Sequence, residues 1–300
     1  VPDTVVRAGL SLFALRPPPL VGRDVELAQV VAMRDAAWTS RRPRLITIGG
    51  SLGMGATHLA REATRRSVED GSAVAWLAPE LGTFQGEFQY LSAALRLQYR
   101  CVGLSGADAE ARLTQMLTRE GVADADARVL AAASSFGATS PPRLTAAVTR
   151  SLGALLVRLT SRRPLFVVLS PDAIAAGAGG LLRAVRLLER EETDIPVVIV
   201  VDLSANNVRE VGWEDRSDVH LDLRPLSADE CRSVIRAMLP LDAAIERFVI
   251  DATAGRPGQL LRMLRAWTAG TVLLHTSSGF VFDESAERFT GSRSRVSAAA

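Results

Sequence analysis

The stretch LITIGGSLGMGATHLAR, residues 45–61, decides how this chain is read. An apolar run, LITI, meets a glycine-rich turn, and the turn opens into a helical pattern. That order suits a phosphate-binding loop. Glycines let the backbone pass close to phosphate, and the helix that follows offers free N–H groups and the positive end of its dipole. The pattern G-x-x-x-x-G-K-[ST] fits at Gly50, Gly55 and Thr57, with Gly53 between them. It fails at one position, where Ala56 stands in place of the phosphate-binding lysine.

Composition sharpens that failure. All 35 basic residues are arginine, and the chain contains no lysine at all. No lysine can act as phosphate ligand, Schiff base or general base, and arginine stays protonated. The 300 residues, 48% of them hydrophobic and 23% charged, suit one large α/β domain or a domain with a small appendage. A net charge of +2 nominates neither nucleic acid nor an anionic membrane. Cys101 and Cys231 lie far apart and have no metal-ligand spacing, so a reduced, cytoplasmic protein is expected. No apolar run reaches the ~18 residues of a membrane helix. Residues 8–15 are apolar after Arg7, but the prolines at 17–19 follow without a small-residue cleavage site, so they are not read as a leader.

Working outward, residues 1–19 read as a lead-in and 20–24, LVGRD, precede a helix over 25–38. Strands are expected at 45–48, 73–77, 164–169, 195–201 and 219–223, with helices between them. The runs PLFVVL and IPVVIVV are continuously apolar, as strands buried on both faces are. The middle of the chain is helical. Phe84, Phe88, Leu91 and Leu95 form one stripe, and Leu113, Met116 and Leu117 another, closed by Gly121. A long helix starts at Ser140-Pro141. Ser227 and Glu230 form a capping box, and three short helices run from there to Gly270. Residues 271–283 read as a hairpin, and the tail from Ser285 as loose. The expected fold is a three-layer α/β/α arrangement with a parallel sheet over 20–224. A helical lid over 225–270 and a hairpin with tail over 271–300 follow it.

Taken together, LVGRD (20–24), GGSLGMGATHLARE (49–62), RRPLFVVLSPD (162–172), PVVIVVDLS (196–204), LRPLSADE (223–230) and AGRPGQLL (254–261) resemble the ATPase domain of STAND-type signalling NTPases. These are a branch of the AAA+-like P-loop proteins. The resemblance implies a nucleotide site formed by Val21, Gly22, Arg23, Gly50, Gly53, Gly55, Ala56, Thr57, His58, Arg256 and Pro257. It also implies a role for Thr57 on Mg²⁺. Arg256 has two readings, a lid residue approaching nucleotide or an exposed helix start. The family's Walker B strand ends in two acids, one for Mg²⁺ and one to polarise water. Here Ser170 and Pro171 stand there, and Asp172 comes one residue late. The sensor strand ends in Asp202-Leu203-Ser204 rather than in a polar residue and an arginine.

Each loss has a size. A charge-assisted lysine contact contributes ~1.5–3 kcal/mol, about ten- to a hundredfold in affinity. A missing general base costs roughly 10²–10⁴ in rate. Coincident losses imply a catalytically inactive pseudo-ATPase, a regulatory or oligomerisation module within a larger signalling protein. Its partners would be other domains, a protein partner or a second copy, with no required cofactor. Two alternatives stay open. One is a switch that binds ATP or ADP with weak Mg²⁺ dependence, and the other is an ATPase completed by a partner's arginine.

Two further classes share parts of these patterns. Gly49, Gly53 and Gly55 also fit the glycine pattern of short-chain dehydrogenases, with Glu80 as the later acid. That family resembles Y-x-x-x-K at its catalytic site, and a chain without lysine cannot supply it. Arg41-Arg42-Pro43-Arg44 and Arg162-Arg163 could meet nucleic-acid phosphates. They flank buried strands, and no recognition helix follows a turn motif, so nucleic acid is set aside as a partner.

Overall fold

A computed structural model describes residues 17–69, 71, 74–77, 87–134, 142–169, 179–203, 217–269, 273–276 and 279–282. The chain divides into two compact units. The described parts of 23–52 and 56–223 form the larger, and those of 17–22, 53–55 and 224–282 form the smaller.

The larger unit opens with helix α1 (Asp24–Ser40) and strand β1 (Arg44–Gly49), followed by α2 (Ala56–Glu69) and β2 (Val74–Leu77). Four helices come next: α3 (Glu87–Gln98), α4 (Gly106–Arg119), α5 (Asp124–Ala133) and α6 (Pro142–Thr160). Then come β3 (Leu165–Leu169), α7 (Gly179–Arg190), β4 (Val197–Asp202) and β5 (Val219–Asp222). The strands pair in the order β2-β3-β4-β1-β5, all parallel. Parallel neighbours need crossover connections, and here helices supply them.

Every residue of β3 and β4 is buried, which is why both strands read as unbroken apolar runs. Leu165, Val167, Leu169, Val197, Ile199 and Val201 share one core with residues of α3 to α7. Successive residues of a strand point to opposite faces, so Phe166, Val168, Val198 and Val200 meet the other layer, where α1 and α2 lie. This is the three-layer α/β arrangement the sequence predicts.

Differences from the sequence expectation are local. β4 starts at Val197 because Pro196 has no N–H to join the ladder, and it runs on to include Asp202. Helix α5 carries no distinct apolar stripe in the sequence, since three of its four buried residues are alanine. Helix α4 ends as expected: Gly121 is left-handed (φ +88°), and the N–H of Val122 donates to Leu117 O at 3.1 Å.

The smaller unit packs α8 (Ala228–Met238), α9 (Ala243–Thr253) and α10 (Pro257–Ala269) with the antiparallel hairpin β6 (Leu273–Thr276) and β7 (Gly279–Phe282). Cys231, Val234, Ile235 and Met238 give α8 its buried face, joined by Val249, Leu260, Leu264, Leu273 and Phe280. The hairpin thus shares the core of the lid helices. Ser227 caps α8 through the predicted capping box, with the Ser227 N–H donating to Glu230 Oε2 at 2.7 Å. Among the described residues, no helix is long and apolar enough to cross a membrane.

Candidate functional site

The parallel sheet places its strand ends, and the turns after them, on one edge, where α/β folds bind ligands. In the larger unit that edge carries Gly49 and Gly50, the first turn of α2, and the end of β4. Gly50 has φ +123°, and a Cβ there would lie 3.0 Å from the Leu223 carbonyl oxygen. Glycine is therefore required both by conformation and by close approach.

Ala56 is the first residue of α2 and only 4% exposed, so a buried methyl occupies the position of the missing lysine. Thr57 follows. Its hydroxyl donates to Asp202 Oδ2 at 2.5 Å. Asp202 closes β4, is 2% exposed, and pairs in register with Ile48 of β1. The ladder continues past it, with the Leu203 N–H donating to Ile48 O at 2.8 Å. His58 sits half-buried on the same helical turn as Thr57. Arg23 is buried, precedes α1, and lies 3.5 Å from Glu26.

The smaller unit collects a different subset. Gly53 and Gly55 have φ of +89° and +95°. The N–H of Gly258 donates to Gly53 O at 2.8 Å. A Cβ on Gly258 would come within 2.9 Å of Gly53 Cα, and one on Gly55 would meet Pro257 Cγ at 3.7 Å. The loop apex and the start of α10 are therefore in backbone contact. Val21 packs on the lid core. Gly22 lies under α8, where a Cβ would collide with the Glu230 carboxylate. The LVGRD motif thus divides: Val21 and Gly22 buttress the lid, and Arg23 enters α1. Arg256 is half-buried just before α10, and among the described residues its guanidinium has no hydrogen-bond or ion-pair partner.

The structure therefore brings Thr57, next to Ala56, to Asp202, Gly50 against Leu223, Gly53 against Gly258, and Gly55 against Pro257. Ser170, Pro171 and Asp172 lie outside the described residues. In the sequence Asp202 stands out only as a departure from a sensor pattern, and Gly258 and Glu230 are not expected as site neighbours. The signal for Asp202 was present, since a carboxylate directly ends the buried run VVIVV.

The residues of the larger unit fit a metal–phosphate group in part. A threonine hydroxyl and a carboxylate are hard oxygen donors suited to Mg²⁺, and α2 presents its N-terminus. The cation that would meet the phosphates from position 56 is missing.

No protein-family model and no curated protein matches the chain. Solved structures do. Orc1 of Aeropyrum pernix, solved in complex with DNA, is 17% identical with a TM-score of 0.53, the alignment covering 85% of this chain and 61% of that one. Cdc6p of Pyrobaculum aerophilum is 16% identical with a TM-score of 0.52, covering 87% of this chain and 66% of that one. At these identities the likeness shows the fold alone: a parallel α/β arrangement resembling that of these AAA+ neighbours. This chain spans about three-fifths to two-thirds of their lengths.

Proposed function

We propose that the chain is a regulatory P-loop module that has given up ATP hydrolysis and acts by scaffolding or self-association within a larger signalling protein. The observation that carries this is the buried methyl of Ala56 at the lysine position, in a chain whose 35 basic residues are all arginine. The direct backbone contact of Gly258 with Gly53 supports a structural use of the loop apex. Purified chain incubated with ATP and Mg²⁺ is expected to release phosphate at the buffer background. Turnover that is lost in Thr57→Ala would overturn the proposal. Light scattering across a concentration series tests self-association.

A second reading is a nucleotide-binding switch without turnover. The hydrogen bond from Thr57 to Asp202 favours it, because it keeps oxygen donors suited to a metal at the foot of α2. Calorimetric titration with ATP and ADP separates the two, since a pure scaffold gives no heat of binding.

A further inference from the structure

The smaller unit leaves one large apolar side chain in the open. Phe248 of α9 is 48% exposed, and among the described residues no other large apolar side chain of that unit is exposed. Its ring stacks on Trp267 of α10, with centroids 6.4 Å apart and planes 20° from parallel. Ala244 and Ala252 stand four residues before and after Phe248 and are exposed as well. Residues four apart share a helix face, so the three form a stripe that runs small, aromatic, small.

The charges of α9 divide between its two sides. Inward, Glu246 is 5% exposed and accepts from Arg232 and Arg236 of α8 at 2.8 and 3.1 Å. Outward, Arg247 and Asp251 are exposed. Both lie on one flank of Phe248, about 100° and about 60° around the helix from it. They are four residues apart, yet neither has an ion-pair partner among the described residues. The Arg247 guanidinium only donates to Ala243 O at 3.4 Å.

We propose that this face of α9 is the self-association surface of the chain, and that a second copy docks on it antiparallel, about a twofold axis at Phe248. The proposal rests on the self-association reading above and names its surface. Charge complementarity selects both the occupant and its direction. Under that twofold, Ala244 stands opposite Ala252 of the second copy, and these small side chains let the helices close on the two Phe248 rings. Aromatic side chains of this kind are enriched at interface cores. Arg247 of one copy and Asp251 of the other then share a flank, within about 3 Å of each other along the axis at a rise of about 1.5 Å per residue. Symmetry makes the same pair twice. Parallel packing would instead set Arg247 against Arg247 and Asp251 against Asp251, where like charges repel. One 11-residue helix on its copy is a small interface, so the dimer is weak.

The test is sedimentation velocity of the whole chain over a concentration series, with circular dichroism checking that each variant is folded. Wild type is expected to pass from monomer to dimer. Arg247→Asp and Asp251→Arg each turn two attractions into two repulsions and should weaken association about tenfold. Both substitutions in one chain restore opposite charges across the axis and should return association close to wild type. An effect confined to the monomer would move the melting temperature and leave the dimer constant alone. Cysteine pairing gives a second readout without any change of charge. Cys101 and Cys231 are buried, which leaves introduced surface thiols as the reactive ones. On oxidation, Ala244→Cys mixed with Ala252→Cys should form a disulfide-linked dimer, and neither variant by itself should. Cross-linking of Ala244→Cys to itself, or a dimer constant that the single charge swaps leave unchanged, overturns the antiparallel surface and spares the self-association reading. A chain that stays monomeric at every concentration overturns both and leaves Phe248 to a partner of another kind.

Discussion

Replacing Gly258 with alanine sets two effects of opposite sign against each other. Gly258 is the second residue of α10, and its backbone φ is not in the left-handed region, so alanine fits the local conformation. Helix propensity alone would make Gly258→Ala stabilising by about 0.5–1 kcal/mol. The added Cβ, however, would meet Gly53 Cα at 2.9 Å, Gly53 O at 3.0 Å and Gly53 C at 3.4 Å. These are backbone atoms and cannot swing aside, so the segments must separate. Separation also stretches the 2.8 Å hydrogen bond between the Gly258 N–H and Gly53 O. Overpacking of this kind costs about 1–3 kcal/mol. The net expectation is a loss of about 1 kcal/mol, read from the urea midpoint with the m-value unchanged. Gly153→Ala in α6 is the matched control. The three atoms nearest its Cβ would be Leu188 side-chain atoms, at 3.6 Å or more, so the same helix gain should appear there as net stabilisation. If Gly258→Ala is as stable as Gly153→Ala, the loop apex and the lid do not touch as described, and the proposed structural use of the loop falls with that contact.

Two other outcomes follow from burial and charge. Tyr99 is 4% exposed and its hydroxyl has no hydrogen-bond partner among the described residues, so Tyr99→Phe should stabilise the chain by about 1 kcal/mol in thermal or urea unfolding. Hydrogen bonds from Arg65 and then Arg66, the first outweighing the opposing effect of burial, hold the Glu62 carboxyl down at about 2 from its ordinary 4.5. A lowered carboxylate contributes stability above its unfolded value and loses it as pH falls toward the folded one. The melting-temperature gap between wild type and Glu62→Gln should therefore persist at pH 5–7 and shrink between about 4.5 and about 2. It should be small, because both arginines are about half exposed, at 53% and 50%.

Much of the fold was legible because its signals are local. Helix stripes, the Ser227–Glu230 capping box and the stop at Gly121 depend on hydrogen bonds within a few residues, and a strand run such as LFVVL shows in its own unbroken apolar composition although its ladder partners are distant. Continuous apolar strands alternating with helices leave a covered parallel sheet as the physically consistent outcome. The loss of lysine was likewise fixed by composition, since no fold can supply a residue the chain lacks.

The site was decided by tertiary structure. Thr57 and Asp202 are 145 residues apart, and only the parallel register of β4 on β1 sets the carboxylate beside the helix that follows the loop. A shift of that register by one residue would turn Asp202 to the opposite face, so its role could not be read from a string. The same holds for Gly258 against Gly53, where lid and loop meet through backbone atoms that carry no side-chain signature. Sequence determined which charges were absent, whereas folding decided which of the remaining ones were brought to the loop.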